Sequence, residues 1–314
     1  MYITGIMWMW LGCGSGEVEI SGDTGSDSTT TTQGNGNNGT DGGVTYEIDP
    51  DVQTYVPEDY HPTAPVRVVF MGDSITDGVG ASMPSLTYTA LLEENQNSAW
   101  PDHDEVTLSE AFPSIEEWIN VGVGGATTSS MKREQLPALE ALLNLPADGE
   151  TLILVTIGGN DAQQALFPFA DVDAIAQAAL DNIDDMARWL TDPDNFPDGV
   201  YVYFTNIYEP SDGTGQSECF YRMDYSEDLA KLDVMNGGLI SMGMEIGFSA
   251  LDLNGHFRGH GFNNNDDTIE AYHPDDPSRW FNDNDCLHPN DRGHHEVRRL
   301  FYYATQDMPL PLEP

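Results

Sequence analysis

From Pro65 onward, short β-rich runs alternate with longer stretches of helical spacing, and this constrains the fold more than any other feature of the chain. Residues 66–71, 118–121, 151–157, 200–207 and 248–253 read as strands, each rich in β-branched, aliphatic or aromatic residues. Between them, 82–95, 131–143, 171–190 and 226–243 read as helices, and 290–304 as a closing helix. In 171–190, Asp171 suits an N-cap, and Ile175, Ala179, Ile183, Met186 and Leu190 recur on one face. Strands separated by helices call for an α/β fold, a parallel sheet of about five strands covered on both faces as a three-layer αβα sandwich. Such sheets bind ligands beyond the carboxyl ends of their strands.

Several short motifs fall at those ends. The first strand runs straight into Gly72-Asp73-Ser74-Ile75-Thr76-Asp77. A serine there holds its hydroxyl at the carboxyl edge and leaves its own N–H as an orphan donor, with Asp77 suited to a capping contact. Taken alone, a serine after a strand is most often just a cap. The second strand ends in Asn120-Val121-Gly122-Val123-Gly124-Gly125, whose glycines either let a backbone N–H approach a ligand or simply make a tight turn. The third ends in Gly158-Gly159-Asn160-Asp161, where Asn160 can aim an amide. Close to the C-terminus stands Asp285-Cys286-Leu287-His288. An Asp three residues before a His can accept from Nδ1–H and leave Nε2 free as a base.

In this order the four motifs resemble those of the GDSL/SGNH hydrolase family, over about residues 65–305. The resemblance implies a flavodoxin-like sheet and a serine esterase, with Ser74 as nucleophile, His288 as base and Asp285 orienting it. It implies an oxyanion hole made by the N–H groups of Ser74 and Gly125 and the side-chain amide of Asn160, with Gly124 the rival to Gly125. It requires no metal and no cofactor. Short-chain or acetyl esters are the expected substrates, carried on a small molecule, glycan or lipid, and the protein is expected to be a monomer. The alternatives are a lysophospholipase or thioesterase, or a surface binding module that has kept the fold without turnover.

The first 13 residues form an apolar run too short to span a bilayer, ending in Leu11-Gly12-Cys13. This is similar to the end of a bacterial lipoprotein signal, although it has no basic n-region and carries Trp10 three residues before the cysteine. It implies lipidation of Cys13 and a secreted or cell-envelope location; a plain signal peptide is the alternative. Residues 14–64 divide into a Gly/Ser/Thr/Asn-rich tether, expected to be disordered, and an extended lead-in to a hydrolase domain at 65–314. If Cys13 carries lipid, Cys219 and Cys286 remain to form one disulfide, or stay as two buried thiols.

Charge narrows the partners. The chain has 53 acids against 11 Lys+Arg, a net charge of −42, and residues 65–314 alone account for −32. Such a field opposes nucleic acid and anionic lipid surfaces, so membrane contact is expected only through the N-terminal anchor. His256 and His260 lie in a Gly-rich stretch without a carboxylate cluster at ligand spacing. His294 and His295 are expected on the closing helix with one facing solvent. Tyr208-Glu209-Pro210 is expected as a pocket wall, with Glu209 structural.

Overall fold

The structure is a computed structural model that describes residues 54–311, apart from 96–99, 104–105, 168, 217–223 and the side chain of residue 102. The signal-like segment, Cys13, the tether up to residue 53 and Cys219 lie outside the described residues.

Five strands form one parallel sheet: β1 (Arg67–Gly72), β2 (Glu117–Asn120), β3 (Thr151–Thr156), β4 (Val200–Thr205) and β5 (Ser249–Leu251), in the order β2-β1-β3-β4-β5. Period-2 alternation divides their side chains between two cores. Val69 and Met71 of β1, Ile153 and Val155 of β3, and Val202 and Phe204 of β4 face one layer. Val68, Phe70, Leu152, Leu154 and Tyr203 face the other.

The first layer is covered by α6 (Val172–Leu190), by α7 (Leu229–Ile246), and by a helical stretch made of α3 (Thr128–Ser130), a π turn (Met131–Gln135) and α4 (Leu136–Leu143). The second is covered by α1 (Tyr88–Glu93), α2 (Leu108–Ala111), α8 (Leu253–Phe257) and α9 (Asp291–Thr305). A further short helix, α5 (Gly159–Ala165), follows β3 directly. Asp171 caps α6 as expected, accepting from Ala174 N at 3.1 Å, and Ala179, Ile183, Met186 and Leu190 are buried along its face.

The helix expected over 82–95 is shorter, a 3-10 turn at Pro84–Leu86 followed by α1, because Thr87 caps a new helix by accepting from Ala90 N. Of the lead-in, Tyr55 pairs antiparallel with Ala250 at the β5 edge, and the Tyr60 hydroxyl accepts from Val202 N.

Neither histidine of the closing helix faces solvent. His294 and His295 are both fully buried, because α9 packs between the sheet and the loop that follows β1. The His294 ring stacks on Tyr88, accepts from Tyr88 N at Nδ1 and donates from Nε2 to the Val79 carbonyl. Burial, opposed by the bond to Val79, lowers its pKa to about 4, which keeps it neutral. Glu296 and Arg299 are buried as an ion pair at 2.8 Å, with His256 3.0 Å from the same carboxylate.

Candidate active site

β1 ends at Gly72, whose N–H and carbonyl are both taken by the side-chain amide of Gln135, at 2.9 and 2.7 Å. Only glycine fits there: φ is +147°, and a Cβ would collide with the Thr156 carbonyl oxygen. The chain then turns sharply. Asp73 N donates to Thr156 O, and Asp73 Oδ1 accepts from Ile75 N, so the cap of this turn is Asp73. Asp77, expected in that role, makes no side-chain hydrogen bond among the described residues; its position is fixed by its N–H, which donates to Asp73 O. Ser74 stands at the crest of the turn.

The Asp285–His288 segment is held by an antiparallel bridge between Phe281 and Pro289 and by the bond from Asn282 N to His288 O. Asp285 Oδ1 accepts from Leu287 N and His288 N, both at 3.0 Å, which turns Oδ2 toward the imidazole. His288 Nδ1 lies 3.0 Å from that Oδ2 and Nε2 lies 2.8 Å from Ser74 Oγ. With Nδ1–H donating to the carboxylate, Nε2 accepts from the serine hydroxyl. Burial raises the Asp285 pKa, but the N–H groups of His288 and Leu287 and the imidazole outweigh it and hold the carboxyl below its ordinary value. Three side chains placed more than 200 residues apart in sequence, Ser74 against Asp285 and His288, thus form one hydrogen-bonded line.

The loops after β2 and β3 are tied together beside it. Asn160 donates its amide to Ala126 O at 2.8 Å, and Asp161 accepts from Thr128 N and Oγ1 at 2.9 and 2.8 Å. Asp161 has no role in the sequence reading; its place next to Asn160, facing the loop after β2, is a tertiary fact. The N–H groups of Ser74, Gly124 and Gly125 have no protein acceptor among the described residues, so the choice of Gly125 over Gly124 rests on the family spacing. Cys286 is buried, with φ +61°, between Asp285 and His288 in sequence.

A cavity with about 120 Å³ open to water-sized groups starts at Ser74, Asn160 and His288. Tyr208 and Glu209 line it as expected. Glu209 is structural: its carboxylate accepts from Ser211 N, Gly213 N and the Tyr225 hydroxyl. Among the described residues no cluster of His, Cys, Asp and Glu is arranged to hold a metal ion, and His260 instead stacks on Trp280 at 3.6 Å.

The sequence profile of the GDSL-like lipase/acylhydrolase family matches residues 70–296, well over half of the chain. No curated protein sequence matches it. Among solved structures, a gut microbial diltiazem-metabolizing enzyme aligns with TM-score 0.53 and 18% identity, over 81% of this chain and 49% of its own. This chain therefore spans about half the length of that enzyme. Phospholipase A1 from Streptomyces albidoflavus aligns with TM-score 0.51 and 18% identity, over 78% of this chain and 100% of its own. An acetylxylan esterase from Geobacillus stearothermophilus aligns with TM-score 0.50 and 19% identity, over 77% and 94%. At these identities the likeness is one of fold.

Proposed function

Because the chain belongs to the GDSL-like lipase/acylhydrolase family, and so is a carboxylic ester hydrolase, we propose that it cleaves esters through an acyl-enzyme on Ser74. The observation that carries this reading is the bonded line from Ser74 through His288 to Asp285.

In the first half-reaction Ser74 Oγ attacks the ester carbonyl and its proton passes to His288 Nε2. Asp285 holds the ring in that tautomer and stabilises the imidazolium. The negative charge on the tetrahedral oxygen is met by the N–H groups of Ser74 and Gly125 and by the Asn160 amide. Collapse breaks the bond to the alcohol, which leaves with the proton from Nε2. A water molecule then attacks the acyl-enzyme, gives its proton to Nε2, and Ser74 recovers it as the acid departs. No step calls on a metal or cofactor.

The fold neighbours include both an acetylxylan esterase and a phospholipase A1, so fold alone does not set the acyl length expected from sequence. A binding module without turnover is disfavoured because the serine, histidine and aspartate are already in bonding positions. The same proposal includes a monomer in the cell envelope, anchored through Cys13. It also includes a bridge between Cys219 and Cys286, supported by the burial of Cys286 and by Cys219 being nearest to it in sequence. The net charge of −42 supports uncharged esters as substrates over anionic ones.

The test compares Ser74→Ala with the wild type on a soluble aryl ester. The turnover number is expected to fall by at least about 10⁴-fold. Equal rates in the two proteins would overturn the reading.

A further inference from the structure

We propose that the cavity running from Ser74 between α5 and α7 is a site for a medium-length acyl chain. This rests on the serine-hydrolase reading above and names the acyl half of its substrate. The 120 Å³ open to water-sized groups is several times the roughly 10–15 Å³ at which a cavity first holds one water, so the cavity is larger than an acetyl methyl would fill.

The walls are made for hydrocarbon. Ala162 and Ala165 of α5 and Leu166 at its C-cap are spaced i, i+3, i+4, and all three line the cavity. On α7, Leu229 and Leu232 do the same from the opposite side. Ile207, just past β4, closes in where Gly158 has no side chain; a Cβ on Gly158 would stand 2.8 Å from Ile207 Cδ1.

Three of the polar groups that reach the wall are already engaged, while Gln163 and Asp228 make no side-chain hydrogen bond among the described residues. Lys231 is paired with Asp173. Glu209 accepts three bonds from its own loop. The Asn206 amide donates to Asp252 and accepts from Asn254 N. A sugar ring entering here would give up many bonds to water against few free partners on a mostly apolar wall, which is unfavourable. An acyl chain loses nothing of that kind and gains about fourfold in binding for each methylene buried. The acyl chain therefore fills the cavity while the alcohol half faces the open side of Ser74, away from the short-chain preference expected from sequence.

The test is a series of p-nitrophenyl esters from acetate to hexadecanoate on the full-length protein, with Leu232→Trp to fill the cavity and Ala165→Val as a milder second variant. Melting curves check that each variant is folded. In the wild type kcat/KM is expected to rise at least about tenfold from acetate to octanoate and to fall again for the longest chains. Leu232→Trp is expected to lower the octanoate-to-acetate ratio at least about tenfold, and Ala165→Val by about fourfold, the equivalent of one methylene. A wild-type profile that falls steadily from acetate, or an unchanged ratio in both folded variants, would overturn the proposal. Inactivity on every ester would overturn the hydrolase reading and this proposal with it.

Discussion

The Tyr208 hydroxyl donates to the Leu287 carbonyl at 2.8 Å, so the end of β4 braces the residue immediately before His288. The Tyr208 ring is itself clamped, stacked on Phe257 at 5.3 Å and edge-on to Phe281 at 5.2 Å. Tyr208→Phe keeps the ring and leaves the carbonyl without its donor, a cost of about 1–3 kcal/mol. The melting temperature should drop by a few degrees and kcat should fall about three- to tenfold as His288 loses its brace. Full activity in a variant with a lowered melting temperature would show that the bond serves stability alone.

Asn160→Ala tests the oxyanion hole. Removing one such donor costs about 10²–10³ in kcat, with KM changed far less. The same substitution also removes the bond to Ala126 O, so a melting curve accompanies the kinetics. If KM rises while kcat stands unchanged, Asn160 binds the ground state and the hole is built from other donors.

Asp73 is buried, and burial pushes its carboxyl up from 3.8 to about 7, against the opposing bonds from Ile75 N and the Thr156 hydroxyl. The folded protein therefore keeps a proton that the unfolded chain releases above about pH 4, and stability falls as pH climbs from there to about 7. The whole effect is on the order of 4 kcal/mol. Asp73→Asn retains an acceptor for Ile75 N and does not titrate. Its melting temperature should exceed that of the wild type by a margin that widens from about pH 5 to pH 8. Parallel curves over that range would mean that Asp73 titrates elsewhere.

The Cys219–Cys286 bridge would close a loop of 67 residues and contribute about 4 kcal/mol on the chain-entropy view. Reduction should lower the melting temperature by several degrees and diminish activity, since Cys286 lies between Asp285 and His288. A non-reducing peptide map should join the peptides of Cys219 and Cys286. A map that joins Cys286 to Cys13 instead would displace the lipid anchor along with this pairing.

What was legible in the sequence was local. Gly72-Asp73-Ser74, Gly158-Gly159-Asn160-Asp161 and Asp285 to His288 each combine a strand end or loop with a chemistry that adjacent residues define, and each lies at the site. The sheet was equally readable, because β1, β3 and β4 are continuous apolar runs buried on both faces. The cavity was not legible. Its walls come from α5, a seven-residue helix hidden behind two glycines, and from α7, whose Leu229 and Leu232 meet it only after folding. Nor was the interior of α9, where the charged side chains of Glu296, Arg298 and Arg299 are buried. Pairing of charges inside the fold leaves no period in the sequence.

The central claim is that Ser74 carries the acyl group. The most direct measurement is the intact mass and peptide map of the protein after reaction with an aryl alkylphosphonate, which traps an activated serine as a stable adduct. One equivalent on the peptide containing Ser74, strongly slowed in His288→Ala, is the predicted result. An adduct on any other residue, or undiminished ester turnover in a protein whose Ser74 is fully blocked, would contradict it.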